Sequence, residues 1–316
     1  MKELYPEIPC YKSHILRIGD IHKVYFEESG NPNGIPVVFL HGGPGSGCKE
    51  NHRRYFNPHK YRIIIFDQRG CNRSSPQGCV NENTTLELLQ DMEQIRTSLG
   101  IDKWVLFGGS WGATLSLLYA EAFPEQVSGL VLRGTFLARQ RDLDWFAKDG
   151  ANRIFPDYWE KFLKVVPVDK RHDLVNAYYE IIHNTKNDNE KLSYARAWSD
   201  WAGKVVTYTL PEAETGEENI DKLLNQVSIE THYAFNRYFI AENQILDNIS
   251  KIPDVPVKII HGRRDLTCTL EASWLLYEAL PDAGINIISD AGHLAGEPAM
   301  IDALVTATDE MSFLIK

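Results

Sequence analysis

The stretch Trp104-Val105-Leu106-Phe107-Gly108-Gly109-Ser110-Trp111-Gly112 decides the fold of this 316-residue chain. Its four leading apolar residues predict a buried strand, and the small residues after them allow a sharp turn. An apolar helix pattern follows, from Ala113 to Ala122, and Pro124 ends it. The turn fits G-x-S-x-G, a pattern that presents a serine hydroxyl at the end of a sheet when it joins a strand to a helix. Ser110 is therefore the candidate nucleophile.

Further strand patterns on both sides of this stretch alternate with helix patterns. Continuous apolar runs occupy residues 36–40, 62–66, 129–132, 257–260 and 285–288, and helical spacing marks 86–99 and 270–279. Such strands, separated by helices, predict an α/β fold whose mostly parallel central sheet is covered by helices on both faces.

The alternation stops near residue 136 and resumes near residue 255. The intervening segment has helical patterns, clearest at 178–182 and 230–240, and it holds four of the seven tryptophans. We therefore expect a core built from residues 1–138 and 244–316, with a helical cap inserted at residues 139–243.

Composition and charge exclude several classes of protein. With 43% hydrophobic residues, 24% charged residues and a formal net charge of −10, the chain is typical of a globular protein that does not bind nucleic acid. No apolar run approaches the roughly 18 residues that cross a bilayer, and the first residues lack a secretory pattern. We expect a soluble, cytoplasmic protein. The five scattered cysteines have no zinc-ligand spacing, so neither a metal nor a cofactor is expected.

A serine nucleophile needs a base and an orienting acid, which in this kind of turn follow later in the chain, the acid before the histidine. His293 lies just beyond the last strand pattern and fits the base. Asp265 follows the preceding strand pattern and is the preferred acid, whereas Asp290 is the alternative and would have to fold back on its own loop. The backbone N–H groups of Gly43 and Trp111 are the candidate donors to an oxyanion.

Several motifs together resemble the proline iminopeptidases, which remove N-terminal proline from peptides. The motifs are His41-Gly42-Gly43-Pro44-Gly45, Asp67-Gln68-Arg69-Gly70-Cys71-Asn72-Arg73-Ser74, Gly108-Gly109-Ser110-Trp111-Gly112, Leu132-Arg133-Gly134 and Leu143-Asp144-Trp145-Phe146. The resemblance implies an α/β-hydrolase fold with a helical cap and places the triad on the same serine, aspartate and histidine. It also implies that Phe136, Thr267 and Cys268 line a small apolar pocket for the proline ring.

The resemblance further implies acidic cap residues that bind the cationic amine of the substrate. Glu230 matches one of them. At the other, the family segment W-S-x-W-E-G reads Trp198-Ser199-Asp200-Trp201-Ala202-Gly203, so Ala202 replaces the acid. Asp200 is two positions away and on a helix points to nearly the opposite side. Glu212 and Glu214 are other cap acids that could compensate.

The leading hypothesis is a serine aminopeptidase that releases N-terminal proline or another small residue through an acyl-enzyme. The alternative is an amidase or esterase that acts on small acyl or aryl compounds and does not need a free amine, because Ala202 replaces the cap acid. A haloalkane dehalogenase or epoxide hydrolase would need a carboxylate at position 110. A non-catalytic binding protein would be expected to lack a member of the triad.

Overall fold

A mixed sheet of eight strands forms the centre of the computed structural model, which describes residues 1–208 and 219–315. The strands are β1 (Cys10–Ile18), β2 (His22–Gly30), β3 (Ile35–Leu40), β4 (Tyr61–Phe66), β5 (Trp104–Gly109), β6 (Val127–Arg133), β7 (Val257–Gly262) and β8 (Gly284–Ile288). Their order is β1-β2-β4-β3-β5-β6-β7-β8. The pairs β1–β2 and β2–β4 are antiparallel, and the other pairs are parallel.

Ten α-helices accompany these strands within the described ranges. They are α1 (Thr85–Ser98), α2 (Trp111–Ala122), α3 (Gln140–Ala147), α4 (Pro156–Lys164), α5 (Leu174–Asn184), α6 (Asp188–Val206), α7 (Ile220–Phe235), α8 (Gln244–Asp247), α9 (Leu270–Ala279) and α10 (Pro298–Leu314). None of them is long and apolar enough to cross a membrane.

The sheet separates two hydrophobic cores. Along β3, Val38 and Leu40 belong to the core under α1, α2 and α9, whereas Val37 and Phe39 belong to the core under α10. This alternation follows from the strand period of two residues, and burial on both faces explains why the strands are continuous apolar runs.

The chain order changes direction between β3 and β5, because β4 lies on one side of β3 and β5 on the other. In open α/β sheets, ligands bind at such a switch point, beyond the carboxyl ends of the strands. The glycine-rich loop, residues 41–47, follows β3, and Ser110 follows β5. The topology therefore brings both segments to the same crevice.

Helices α3 to α7 all lie between β6 and β7 in the chain. An aromatic cluster holds them together: Phe162 stacks on Tyr178 with ring centroids 4.5 Å apart, and Trp198 and Trp201 pack on the same phenylalanine. These helices occupy the predicted cap segment. That residues 139–243 form a unit distinct from the core remains a proposal.

The sequence patterns did not predict β1 and β2. Strand β2 is not an apolar run. It buries the carboxylates of Glu27 and Glu28, which pair with Arg53 and Arg62 at 2.5 and 2.6 Å. Buried charges of this kind persist only when they are paired, so a charged sequence can still form an interior strand.

The predicted helix at 230–240 also needs correction. Helix α7 ends at Phe235, and Arg237, Tyr238 and Phe239 all have positive φ angles between 49° and 55°. A left-handed backbone cannot continue an α-helix, and it turns the Tyr238 ring back toward the core.

Candidate active site

Ser110 occupies the sharp turn between β5 and α2. Its φ of 58° and ψ of −123° form a strained combination for a residue with a side chain, and such strain is held only where the surroundings fix it. Here the Ser110 N–H donates to Arg133 O at 2.9 Å. The turn also packs tightly on β3, because a Cβ on Gly112 would lie 2.0 Å from Leu40 O. Glycine is therefore required at that position.

Asp265 and His293 form a hydrogen-bonded pair at the neighbouring strand ends. His293 Nδ1 lies 2.7 Å from Asp265 Oδ2, and Asp265 Oδ1 accepts from the N–H groups of Thr267 and Cys268 at 2.9 Å each. Burial alone would raise the pKa of Asp265, but the charge and hydrogen bond of His293 hold it below its usual range. The ionised carboxylate accepts a hydrogen bond from Nδ1–H, which places the lone pair of the neutral ring on Nε2, the atom that acts as the base.

Asp290 is exposed on the loop before His293. The structure thus brings Asp265, and not Asp290, to the imidazole. The Asp265 turn also supplies Cys268, whose Sγ lies 3.8 Å from Ser110 Oγ. Ser110 makes no hydrogen bond to His293 in the described part of the chain. Such bonds are often loose without substrate and tighten when it binds.

Arg133, at the end of β6, anchors the loop that carries His293. Its Nη1 donates to His293 O at 2.8 Å and lies 3.3 Å from His293 Nε2. Gly134 follows with a φ of +54°, and a Cβ there would lie 3.1 Å from Asp265 Oδ2 and 3.4 Å from His293 Cε1. The motif Leu132-Arg133-Gly134 therefore packs directly on the Asp265–His293 pair.

The glycine-rich loop after β3 approaches Ser110 from the other side. A Cβ on Gly42 would lie 3.4 Å from Ser110 Cβ, and Gly43 is the next residue. Trp111 is the first residue of α2, so its N–H has no carbonyl one turn earlier in the helix. Both candidate oxyanion donors therefore belong to segments that border Ser110.

A cavity of about 210 Å³ lies against the Asp265–Cys268 turn. Its walls include Phe136, Thr267 and Cys268, three of the residues that the resemblance assigns to substrate. The walls are not apolar: Arg141, Asp142 and Glu271 also line the cavity. The buried hydroxyls of Thr135 and Thr267 have no hydrogen-bond partner among the described residues. The expected pocket therefore carries polar groups that the sequence analysis did not foresee.

Glu230 does not line this cavity but lies on α7 against α6. Trp198 Nε1 donates to Glu230 Oε2 at 2.8 Å, and Gln226 Nε2 donates to Glu230 Oε1 at 2.8 Å. Burial raises the pKa of Glu230 to about 7, and the two hydrogen bonds oppose that rise. Near neutral pH this carboxylate is therefore poised to ionise fully when a cation approaches it.

Ala202 is half-buried on α6, whereas Asp200 is exposed, in keeping with their separation on a helix. Glu212 and Glu214 lie outside the described residues.

Tyr238 is a site residue that the sequence analysis missed. Its ring stacks on Trp111 with centroids 5.5 Å apart and meets Phe136 edge-on at 5.0 Å. In the sequence, Tyr238 appears with Phe239 as the end of a predicted helix. That pattern does not reveal the left-handed turn at these residues. Gln68 was quoted within a motif without a role, although it contacts Trp111 directly.

The geometry agrees with comparisons to known proteins. Residues 35–298 match the family model described as the alpha/beta hydrolase fold. A proline iminopeptidase of Xylella fastidiosa is 45% identical over 311 residues, which cover 98% of this chain and 99% of that protein. This chain belongs to the proline iminopeptidase family. A proline iminopeptidase of Arabidopsis thaliana is 42% identical over 320 residues, covering 99% of this chain and 83% of the plant protein.

Solved structures agree on the fold of this family member. An esterase from Exiguobacterium antarcticum aligns with a TM-score of 0.62 at 19% identity, covering 94% of this chain and 98% of the esterase. At that identity the likeness concerns the fold alone.

Proposed function

We propose that this chain is a serine aminopeptidase that releases N-terminal proline from peptides through an acyl-enzyme. One observation carries the proposal: Ser110 on its strained turn lies at the same sheet edge as the Asp265–His293 pair, whose hydrogen bond is 2.7 Å long. Membership of the proline iminopeptidase family supports the choice of substrate.

In the first half-reaction, Ser110 Oγ attacks the carbonyl carbon of the N-terminal residue while His293 Nε2 takes the hydroxyl proton. Asp265 holds the imidazole and stabilises the imidazolium that forms. The developing oxyanion accepts hydrogen bonds from the N–H groups of Gly43 and Trp111, and the positive end of the α2 dipole favours the same charge. His293 then gives the proton to the leaving amine.

In the second half-reaction, water replaces the amine. His293 removes a proton from the water as it attacks the Ser110 ester, and the same oxyanion donors act again. Collapse of the second tetrahedral intermediate releases the free N-terminal residue and returns the proton to Ser110.

Glu230 supplies the negative charge that selects a free N-terminus, because the substrate amine is cationic. The cavity beside Cys268 receives the side chain of the N-terminal residue, with Phe136 and Thr267 in its walls. Cytoplasmic location and the absence of nucleic-acid or membrane partners remain predictions from composition and charge.

The second candidate is an amidase or esterase with the same three residues and no need for a free amine. The presence of Ala202 in place of a cap acid favours it. Loss of one charged contact to an ammonium group costs about 1.5–3 kcal/mol, or roughly one to two decades in specificity.

A comparison of kcat/KM for prolyl-4-nitroanilide and for its N-acetyl form distinguishes the two candidate functions. The aminopeptidase proposal expects kcat/KM for the free amine to exceed that of the blocked substrate at least tenfold. Ser110→Ala is the blank and should abolish both activities with an unchanged Tm. Equal rates on the two substrates, or turnover of the blocked form alone, would favour the amidase or esterase.

A further inference from the structure

The motif Asp67-Gln68-Arg69-Gly70 is part of the family resemblance, but none of its residues has a role in the reaction described above. It follows β4, next to the glycine-rich loop after β3. Its charged side chains tie the segment to its neighbours: Asp67 accepts from Cys48 N at 2.6 Å and from Arg73 Nε at 2.7 Å, and Arg69 donates two hydrogen bonds to Asp91 on α1. The Gln68 side chain has other partners.

Gln68 joins the two segments that carry the candidate oxyanion donors. Its Nε2 donates to His41 O at 3.0 Å, and its Oε1 accepts from Trp111 Nε1 at 2.9 Å. A carbonyl only accepts and an indole N–H only donates, so these partners fix the orientation of the amide. Gln68 N also donates to His41 Nε2 at 3.0 Å.

These hydrogen bonds are buried. Gln68 and His41 are each 2% exposed, and Trp111 is fully buried. Burial lowers the pKa of His41, which favours the neutral ring, and Nε2 accepts from Gln68 N. In a site closed to water, each bond lost leaves a polar group without a partner.

We propose that Gln68 is the positioning residue of the oxyanion hole: its side-chain amide sets the spacing between the Gly43 and Trp111 N–H groups. The amide holds the glycine-rich loop through His41 O, two residues before Gly43, and holds α2 through the Trp111 ring. This inference depends on acyl transfer at Ser110 but not on a preference for proline.

The predicted effect is on the transition state, since the donors act on charge that develops only there. Loss of one oxyanion donor costs about 10²–10³ in kcat, and a 1 Å misplacement can cost about 10²-fold. Removing the amide leaves both N–H groups present but no longer held at their spacing. We therefore expect kcat to fall about 10- to 100-fold while KM changes less than about threefold.

The test uses Gln68→Met, which keeps the length of the side chain and removes both side-chain bonds. Activity is measured on prolyl-4-nitroanilide and on 4-nitrophenyl acetate, and binding on pyrrolidine-2-boronic acid and on L-proline. The boronate forms a tetrahedral anionic adduct with Ser110, so its Ki should rise in parallel with the fall in kcat/KM. The Ki of L-proline, which resembles the ground state, should stay unchanged.

Gln244→Met is the control, because Gln244 also uses its side-chain amide in a hydrogen bond, in which Oε1 accepts from Ala241 N, but lies on α8 and not at a strand end. Its activity should stay within twofold of the wild type. Active-site titration with a fluorophosphonate corrects every rate for the fraction of folded enzyme. An unchanged kcat and boronate Ki in corrected Gln68→Met, or equal losses in boronate and L-proline binding, would overturn the inference.

Trp111→Phe provides a second variant that does not depend on the stability of the first. It removes the indole donor while the ring can still pack on Tyr238. If Gln68 acts through Trp111, the double variant should lose less than the product of the two single losses. Multiplicative losses would contradict the coupling. A wild-type enzyme inactive on both substrates would instead refute the proposed function.

Discussion

Replacing Glu230 by Gln removes the carboxylate that we assign to the substrate amine while keeping the size of the side chain. In the wild type, the carboxylate accepts hydrogen bonds from Trp198 and Gln226, and burial raises its pKa to about 7. Only the ionised form attracts an ammonium group. The free-amine substrate should therefore depend on pH through Glu230, whereas an N-acetyl substrate should not.

The expected loss of kcat/KM depends on the strength of the charged hydrogen bond from the amine to Glu230 and on the fraction of Glu230 that is ionised. A charged hydrogen bond is worth about 1.5–3 kcal/mol, which corresponds to a loss of roughly 10- to 150-fold in kcat/KM for the free amine. With a pKa of about 7, the carboxylate is ionised in about a tenth of the molecules at pH 6 and in about nine-tenths at pH 8. The loss caused by Glu230→Gln should therefore be largest above neutral pH and shrink several-fold by pH 6.

The assay is kcat/KM from pH 5.5 to 8.5 for prolyl-4-nitroanilide and its N-acetyl form. The ratio of the two substrates cancels the titration of the triad, which acts on both, and a separate titration of the free substrate corrects for its amine. In the wild type the corrected ratio should rise with pH through about 7. In Glu230→Gln it should be flat and low.

Glu180→Gln is the control, because Glu180 is an exposed carboxylate of the same helical segment, on α5. It should keep the wild-type ratio at every pH. If Glu230→Gln also kept the ratio and its pH dependence, the assignment of Glu230 would be wrong, and another acid would have to recognise the amine.

Three further outcomes are expected. Asp265→Asn should lower kcat about 10⁴-fold by favouring the wrong imidazole tautomer, whereas Asp290→Asn should stay within twofold in the same steady-state assay. Gly134→Ala places a Cβ 3.1 Å from the Asp265 carboxylate at a φ of +54°, so we expect at least a tenfold loss of kcat and a loss of about 1–2 kcal/mol in denaturant unfolding. Ala202→Glu should raise the free-to-blocked ratio about tenfold, and an unchanged ratio would show that position 202 does not face the amine.

The features predicted most fully from sequence are those formed by residues close together in the chain. The strand, turn and helix around Ser110 are contiguous, so apolar spacing and small residues predict them without knowledge of the rest of the chain. Asp265 and His293 are separated by 28 positions but each follows a strand of one parallel sheet, and parallel strands end at the same edge. The order of acid and histidine therefore predicted a pair that the structure brings within 2.7 Å.

Features that depend on contacts between distant segments were missed. The strand β2 is stabilised by pairing Glu27 and Glu28 with arginines that lie 26 and 34 positions later, which no local pattern reveals. Gln68 acquires its partners, His41 and Trp111, only when β3, β4 and β5 end side by side. The left-handed turn at Tyr238 is a conformation that the residues themselves do not favour, so the surrounding packing must impose it.

The most direct test of the central claim is to identify the acylated residue. Proline 4-nitrophenyl ester is mixed with enzyme, the reaction is acid-quenched during the burst of 4-nitrophenol, and the digested protein is analysed by mass spectrometry. We predict a single prolyl group on the peptide that contains Ser110. A burst with the prolyl group on Cys268, whose sulfur lies 3.8 Å from the serine oxygen, or with no prolyl group on Ser110, would contradict the account.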